Sequence, residues 1–330
     1  MGNMVGTKWN PTLIELAKKP DYFLSGHRMC AGCPAPVIVK LTLKALPDPD
    51  NVVVINATGC LEVASTIYPY TSWGRPWIHN AFENAAATAS GVEAAFRALK
   101  RKGVWKDELP TIVVFGGDGG TYDIGLQSLS GALERGHKLI YVLYDNEAYM
   151  NTGIQRCSST PQYAATTTTP AGRVIPGKPE WKKPISFIVA AHHNVYVATV
   201  NPYFWADFVK KVRTAAEYDG PAFIHAISAC PRGWRYESRL TMTISRLATE
   251  TCLHPLWEFD PETREYRITD RSLYIAKNPD KKVPVEEYLK LQGRFRHLFS
   301  PVRRDDLINE IQQKVDREWN YLLKLAGFKE

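Results

Sequence analysis

An aspartate and an asparagine stand at the ends of two consecutive apolar segments, at positions suited to hold a metal ion. Asp118 follows the apolar run 113–115, Asn146 follows the run 139–144, and 26 residues separate Gly119 from Asn146. That gap accommodates one helix and one strand, so a βαβ unit returns Asn146 to the sheet edge where Asp118 lies. Carboxylate, amide and carbonyl oxygens suit Mg²⁺, and the N–H groups of a glycine-rich turn bind anions. The spacing therefore predicts a site where Mg²⁺ holds a diphosphate.

Two other phosphate-binding motifs fit this turn poorly. The glycines are not followed by the Gly-Lys-Ser/Thr of a Walker loop, and GGDGG lacks the G-x-G-x-x-G spacing of a dinucleotide-binding turn. A tight βα turn with an incidental acid is the structural alternative. The combination GDG-x26-N resembles the signature of thiamin-diphosphate enzymes, in which the aspartate and asparagine bind the metal that grips the cofactor diphosphate.

Four of the six cysteines fall where the fold should bring them near this site. Two form a C-x2-C pair in a loop and two follow predicted strands; they are Cys30, Cys33, Cys60 and Cys230. In an open α/β sheet, ligands bind outside the carboxyl ends of the strands. Four thiolates suit tetrahedral zinc or an iron–sulfur cluster, and the cluster is favoured because its neighbour would be a cofactor that yields electrons.

The other two cysteines are not assigned to this group. Cys252 lies in an apolar helical context and is predicted to be a buried core residue. Cys157 lies in the loop after Asn146 and is predicted to be a bystander. A disulfide framework is not expected in a cytosolic chain of this size.

Composition and charge argue against several classes of protein. The 330 residues carry a formal charge of +7, from 41 basic and 34 acidic residues, and the excess is scattered. No basic stripe interleaved with aromatic residues is present, which argues against a nucleic-acid-binding protein. The N-terminal segment lacks the apolar core of a signal peptide, and no run of 18 apolar residues is present to span a membrane. We expect a cytoplasmic protein.

Strands and helices alternate along most of the chain, which predicts a doubly wound, mainly parallel sheet over residues 25–235. The predicted strands are 51–57, 111–115, 139–144, 195–199 and 222–228. The predicted helices are 35–46, 82–99, 124–135, 203–217 and one that begins at 185–191.

Three further segments flank or interrupt this α/β domain. Residues 1–24 are predicted to form an N-terminal arm with one short helix at 11–19. Residues 152–176 are predicted to form a long ordered loop over the active site, because loops of this length tend to be functional. Residues 236–330 are predicted to form a C-terminal extension that packs on the core or on a partner subunit. Its amphipathic helices are predicted at 284–297 and 304–325.

Motifs along most of the chain resemble one known family, the thiamin-diphosphate-binding β subunits of 2-oxoacid:ferredoxin oxidoreductases, and most closely its pyruvate synthase branch. The motifs extend over about 270 residues. They are CAGC at 30–33, ATGCLEV at 57–63, FENAAATASGVEAA at 82–95, GGDGGTYDIGLQSLSGALERGH at 116–137, YDNEAYMNTGIQRCSSTP at 144–161, CPRGW at 230–234 and VEEYLKLQGRFRHLF at 285–299.

The resemblance implies a role for each candidate site residue. One [4Fe-4S] cluster close to the thiamin would be held by Cys30, Cys33, Cys60 and Cys230. Mg²⁺ would be bound by Asp118, Asn146 and the backbone oxygen of Ala148. The cofactor would be lined by Gly117, Gly119, Gly120, Cys60 and Asn84. Asn151 would hydrogen-bond the substrate or its adduct.

The chain departs from the family pattern at two positions. Pro34 replaces the usual glycine after the second cysteine of CAGC, and Cys157 stands where the family more often has serine. Proline removes a backbone N–H. Because hydrogen bonds to sulfur tune a cluster, the loss of this donor is expected to shift the cluster potential.

The implied reaction is oxidative decarboxylation of a 2-oxo acid, with pyruvate as the default, to an acyl-CoA and CO₂. Electrons would pass singly to the cluster and on to ferredoxin or another electron-transfer subunit. The implied partners are coenzyme A, an α subunit, and γ/δ-type subunits with a ferredoxin-like δ. The chain is too short to hold both thiamin-binding domains, so the glutamate that activates the aminopyrimidine is expected on the α subunit. That role is not assigned to Glu62, Glu83 or Glu147.

Three alternatives remain open. The same chemistry fits an aryl (phenylglyoxylate-type), branched-chain or oxalate substrate. A non-redox thiamin decarboxylase or synthase subunit with structural zinc would also explain four thiolates. A different class of protein is an electron-transfer or scaffold subunit that carries a cluster without thiamin.

Overall fold

One mixed sheet forms the centre of the molecule. The computed structural model describes residues 7–328, and the strands within them are β1 (Val52–Ala57), β2 (Trp77–Asn80), β3 (Thr111–Gly117), β4 (Ile140–Asp145), β5 (Tyr196–Val200), β6 (Ala222–Ile227), β7 (Trp257–Asp260) and β8 (Glu265–Ile268). Their order across the sheet is β2-β1-β3-β4-β6-β5-β7-β8. The first six pair in parallel, whereas β7 and β8 are antiparallel. The predicted mainly parallel sheet is confirmed.

Helices surround this sheet. Over the same residues they are α1 (Leu13–Lys18), α2 (Ala35–Ala45), α3 (Cys60–Ser65), α4 (Ala85–Arg101), α5 (Leu126–Glu134), α6 (Ile185–Ala190), α7 (Trp205–Glu217), α8 (Pro231–Trp234), α9 (Thr241–Glu250), α10 (Asp270–Lys277), α11 (Val285–Leu289) and α12 (Asp305–Leu325). A π-helical turn, Gly119–Ile124, precedes α5, and 3-10 turns lie at Ser238–Leu240, Pro279–Lys281 and Gly293–Leu298. Between residues 7 and 328, no helix combines the length and apolar character needed to cross a bilayer.

The two faces of the sheet are both covered, which makes the fold doubly wound. Ile112 and Val114 of β3 belong to an apolar cluster that includes residues of α4, α5 and α12. The alternate residues Val113 and Phe115 belong to a second cluster, with residues of α2 and α7. Successive side chains of a strand point to opposite faces, so a strand buried on both sides is apolar throughout. This accounts for the continuous apolar runs in the sequence.

The chain beyond residue 235 adds both strands and helices to this core. The sequence does not predict β7 and β8, because each has four residues and Glu265 is exposed, which leaves too short a pattern. β7 nevertheless pairs with β5 and extends the central sheet. The predicted domain limits at residues 24 and 235 stay predictions, and residues 1–6 of the predicted arm lie outside the described part of the chain.

The predicted helix at 284–297 is wrong in its extent. α11 ends at Leu289, and a 3-10 turn follows from Gly293. The N–H of Gly293 donates to the carbonyl of Arg235 at 3.1 Å. A side chain at Gly293 would place its Cβ 2.7 Å from the Cβ of Arg235. This close backbone approach, rather than the apolar pattern, determines the geometry here.

Candidate active site

Asp118 and Asn146 follow the carboxyl ends of two neighbouring strands. β3 and β4 pair in parallel with Gly117 opposite Tyr144, so the residues after each strand leave the sheet side by side. The Asp118 carboxylate is buried, and its Oδ1 accepts the N–H of Gly119 at 2.7 Å. Its Oδ2 accepts the N–H of Ala148 at 2.9 Å. The predicted convergence of the two turns is therefore present.

Three oxygen atoms meet at this point in a pattern that fits a bound cation. Oδ1 of Asn146 lies 3.0 Å from Oδ2 of Asp118 and 2.9 Å from the carbonyl oxygen of Ala148. Adjacent ligands of an octahedral Mg²⁺ ion with bonds of about 2.0–2.1 Å are separated by about 2.9 Å. Without a cation, the Asn146 amide must turn so that its nitrogen donates to both oxygens. The residues present fit a magnesium site.

The charge at this point also favours a cation. Burial raises the pKa of Asp118 well above its usual range, and the nearby Asp145 raises it further. Burial also tends to raise the pKa of Asp145. A hydrogen bond from His225 and the charge of Lys182 outweigh this effect and hold the pKa of Asp145 below its usual range. An ionised Asp118 therefore needs a positive charge beside it, which a divalent cation supplies.

Neighbouring groups pack so closely on the glycines of the turn that no space is left for side chains. A Cβ at Gly119 would lie 2.1 Å from the ring of Tyr149, and a Cβ at Gly120 would lie 2.8 Å from the carbonyl of Phe82. A side chain at Gly119 would displace the Tyr149 ring, and one at Gly120 would displace the backbone of Phe82. Glycine at these positions therefore lets the turn pack closely beside the Asp118 carboxylate, which accepts the Gly119 N–H.

A cavity of about 180 Å³ lies beside the three oxygens. The predicted site residues that line it are Gly117, Asp118, Asn146, Ala148, Cys60 and Asn151. Gly119 and Gly120 lie in the adjoining turn. The partly buried Asn84 directly precedes α4, and its buried side-chain oxygen has no hydrogen-bond partner. Sequence reasoning missed Tyr144, whose buried hydroxyl also lines the cavity without a hydrogen-bond partner. Its position inside an apolar strand gave no signal of this role.

The four predicted cysteines form one group at the edge of this cavity. Each of the six pairs among Cys30, Cys33, Cys60 and Cys230 is close enough to interact electrostatically. Burial, with a smaller contribution from the neighbouring thiols, raises the pKa of Cys33 and of Cys60 to about 12 each. Cys60 also interacts with Asp118, which connects the cysteine group to the three-oxygen site. Four thiolates here require metal ions to offset their charge.

The spacing of the cysteine group does not match a single metal ion. Within the described residues 7–328, no three or more histidine, cysteine or acidic side chains are arranged to hold one ion. Tetrahedral zinc with bonds of about 2.3 Å would bring the sulfurs within about 3.8 Å of one another.

The loop with the C-x2-C pair is held by two residues that lie more than 200 positions later in the chain. The Ser238 hydroxyl donates to the Ala31 carbonyl at 2.8 Å, and the Thr241 hydroxyl donates to the Gly32 carbonyl at 2.8 Å. Pro34 lacks an N–H, but the backbone of the next residue, Ala35, lowers the pKa of Cys33 against the effect of burial. A backbone donor one residue after Pro34 therefore still favours the ionised form of Cys33.

The remaining cysteines and the acid next to Asn146 take no part in the cavity. Cys157 is fully buried against the Ser159 hydroxyl at 3.1 Å, and Cys252 is buried in the core as predicted. Glu147 is fully buried and ion-paired with Lys182 and Arg294. These side chains are packed in the interior rather than exposed to a ligand.

A buried polar network supports the loop after β4 from below. The Asp145 carboxylate accepts from the Tyr122 hydroxyl at 2.8 Å and lies 2.9 Å from the ring of His225. His225 contacts the Ser186 hydroxyl at 2.8 Å and packs against His254 with 4.9 Å between ring centroids. The network is enclosed, so it serves to position the loop.

His254 should make folding sensitive to mild acid. Burial lowers its pKa well below 6.5, with added effects from His225 and Lys182. Below pH 6.5 the unfolded chain takes up a proton that the folded chain does not, so the free energy of unfolding should fall by about 1.4 kcal/mol per pH unit. Urea titrations between pH 7.5 and 5.5 should show a smaller fall for His254→Gln and an unchanged fall for the control His193→Asn. An equal fall in all three proteins would contradict this role.

Comparison with known proteins identifies the family. Residues 57–226 match the family described as thiamine pyrophosphate enzyme, C-terminal TPP binding domain. Pyruvate synthase subunit PorB of Thermotoga maritima is 51% identical over 313 residues, which cover 94% of each chain. Ketoisovalerate oxidoreductase subunit VorB of Pyrococcus furiosus is 42% identical over 93% of this chain and 94% of its own.

Solved structures agree at the level of the fold. The 2-oxoglutarate:ferredoxin oxidoreductase from Magnetococcus marinus matches with a TM-score of 0.51 and 22% identity, over 68% of this chain and 79% of that chain. Because its identity is low, this likeness concerns the fold alone. With half of its residues identical to PorB over almost its whole length, the chain belongs to the thiamin-diphosphate-binding β subunits of 2-oxoacid:ferredoxin oxidoreductases, in the pyruvate synthase branch.

Proposed function

We propose that this chain is the catalytic β subunit of a complex that oxidatively decarboxylates a 2-oxo acid, with pyruvate favoured, to an acyl-CoA and CO₂. Electrons would leave through a [4Fe-4S] cluster to ferredoxin or another electron-transfer subunit. The observation that carries the proposal is that the three-oxygen site and Cys60 line the same cavity. Relatives named pyruvate synthase subunit support pyruvate as the substrate.

Asp118, Asn146 and the Ala148 carbonyl would bind Mg²⁺, and the turn at Gly119 and Gly120 would accept the diphosphate. When bound, thiamin diphosphate supplies a carbon nucleophile for the 2-oxo carbon and an electron sink that lets CO₂ leave. The chain itself would hold the metal through these three oxygens, and the cavity beside them would take the diphosphate. The unpartnered polar atoms of Asn84 and Tyr144 would hydrogen-bond the ligand.

The cysteine group supports a cluster over structural zinc. Its sulfurs interact pairwise, and Cys60 lines the cofactor cavity, where a redox-active group can take up electrons. A four-iron cluster spreads its ligands farther apart than a single ion does. Its place beside Cys60 would let electrons pass from the cofactor cavity to the cluster with little intervening protein.

The cavity supports the need for a partner chain. Among residues 7–328, Asp118 is the one carboxylate that lines it, and Asp118 would be occupied by the metal. The glutamate that activates the aminopyrimidine is therefore assigned to an α subunit. The same complex would include γ/δ-type subunits with a ferredoxin-like δ, bind coenzyme A and work in the cytoplasm.

Analysis of the intact complex, purified without oxygen, tests this function. We expect stoichiometric thiamin, magnesium, iron and sulfide, with the broad visible absorbance of a cluster. Zinc without iron would contradict the proposed redox reaction. A cluster without thiamin would instead favour the interpretation as an electron-transfer subunit. Assays with pyruvate, branched-chain, aryl and 2-oxo dicarboxylic acids would then identify the substrate, with pyruvate expected to give the highest kcat/KM.

Asn151 should act on the substrate rather than on the cofactor. Its side chain is exposed and lines the cavity. Loss of one hydrogen bond to a charged substrate costs on the order of 10- to 100-fold in kcat/KM. Steady-state assays of Asn151→Ala should show this loss with unchanged thiamin diphosphate affinity, and the surface control Asn278→Ala should show neither. A large loss of cofactor affinity in Asn151→Ala would contradict the assignment.

A further inference from the structure

The backbone between the proposed metal ligands Asn146 and Ala148 is held in an unfavourable conformation. Glu147 has a φ of +66°, in the left-handed region that disfavours residues other than glycine. Groups outside the loop keep it there. The Thr160 hydroxyl donates to the Glu147 carbonyl at 2.7 Å, and the Glu147 carboxylate pairs with Lys182 at 2.8 Å. The geometry of the metal ligands thus depends on contacts made from elsewhere in the fold.

Trp234 makes one of these contacts directly at the metal loop. Its indole N–H donates to the Asn146 carbonyl at 2.7 Å, and its side chain is fully buried. The guanidinium of Arg294 lies 3.9 Å from the Trp234 ring centroid and also pairs with Glu147. Arg294 therefore holds the indole ring in place, and the indole N–H in turn orients the Asn146 peptide group.

The same short helix carries a member of the cysteine group. α8 begins directly after Cys230, whose sulfur accepts the N–H of Gly233 at 3.3 Å. The N–H of Trp234 donates to the Cys230 carbonyl at 2.9 Å, so one helical turn joins the two residues. Gly233 also lies against Met150, a residue that lines the cavity, since a Cβ there would meet the Met150 sulfur at 2.2 Å. A displacement of Cys230 must move Trp234 with it.

We propose that Trp234 is a positioning residue that couples the cysteine group to the metal loop. Metal bound at Cys230 fixes α8, α8 fixes the indole, and the indole holds Asn146 in the orientation that binds Mg²⁺ and the diphosphate. Coupling of two binding equilibria is reciprocal, so each occupied site strengthens the other. The inference rests on the proposed function, because it requires both sites to be filled.

A double-mutant cycle on the assembled complex tests this coupling. After removal of Mg²⁺ and thiamin diphosphate with chelator, both are titrated back by calorimetry in four proteins: unmodified, Trp234→Phe, Cys33→Ser, and the double variant. Trp234→Phe keeps an aromatic ring under Arg294 but removes the N–H donor. We expect either single change to weaken cofactor binding about tenfold, and the double change to weaken it no more than one change alone.

The outcomes separate the inference from the proposed function. Trp319→Phe, a buried tryptophan in α12, is the matched control and should leave the affinity unchanged. Additive effects of Trp234→Phe and Cys33→Ser, or no effect of Trp234→Phe, would overturn the coupling alone. Absence of thiamin diphosphate binding in the unmodified complex would overturn the proposed function and the coupling with it.

Hydrogen exchange on the unmodified complex provides a second test that needs no variant. Removal of Mg²⁺ and thiamin diphosphate should speed amide exchange in residues 146–150 and also in residues 232–236. Faster exchange confined to residues 146–150 would show that α8 does not respond to the metal loop, and would overturn the coupling.

Discussion

Replacing Asp118 by asparagine should abolish tight binding of Mg²⁺ and thiamin diphosphate. The change keeps the shape of the side chain but removes the charge of the buried carboxylate that we propose as a metal ligand. Loss of an outer hydrogen-bond partner of a metal site already costs about 10- to 100-fold in affinity, so loss of the ligand itself should cost more than about 100-fold. Calorimetric titration of the assembled complex and its thiamin content measure the effect.

The iron content of the Asp118→Asn complex is the discriminating measurement. Cys60 interacts with Asp118 through space, yet the four cysteines form a group of their own, so iron and sulfide should be retained. Asp219→Asn, at an exposed position beyond α7, is the control and should match the unmodified protein in both measurements. Loss of thiamin and iron together from Asp118→Asn would argue against two separable sites.

Replacing Cys33 by serine should remove the cluster and abolish reduction of ferredoxin. Cys33 is chosen because it belongs to the cysteine group but does not line the cofactor cavity. We expect loss of iron, sulfide and visible absorbance, with acceptor reduction at background. Thiamin diphosphate affinity should stay within about tenfold of the unmodified complex, since coupling between sites is typically of that size.

Cys157→Ser provides the matched control for this change. It makes the same chemical replacement at a fully buried cysteine whose neighbours are hydroxyl groups. Iron, sulfide and ferredoxin reduction should all be preserved. A cluster that survives in Cys33→Ser, or one that is lost in Cys157→Ser, would show that the four ligands are assigned wrongly.

The parts of the site that lie at strand ends are predictable from the sequence. Apolar runs of 113–115 and 139–144 locate two parallel strands, and topology then brings Asp118 and Asn146 together at one edge. The same rule brings Cys60 and Cys230 to that edge. Periodicity and strand order suffice here because the relevant residues follow directly from regular elements.

The long-range contacts that hold the loop after β4 in place are not predictable in this way. Trp234 and Asn146 are 88 residues apart, and Glu147 and Arg294 are 147 apart, so no local pattern relates them. The left-handed backbone of Glu147 is imposed by these distant contacts against the preference of the residue. The extra strands β7 and β8 are missed for a similar reason, since the pairing of β7 with β5 and of β8 with β7, rather than their own pattern, defines them.

The clamp on the C-x2-C loop sets an order for the assembly of this protein in the cell. The clamping hydroxyls of Ser238 and Thr241 lie 207 and 209 residues after the carbonyls they bind. At about 5–20 residues per second, a ribosome needs roughly 10–40 seconds to synthesise that stretch. During this interval Cys30 and Cys33 have neither their clamp nor Cys230. A cluster held by all four cysteines, as we propose, could therefore be completed only after residue 230 has been synthesised, and until then the two thiols of the loop are without these partners.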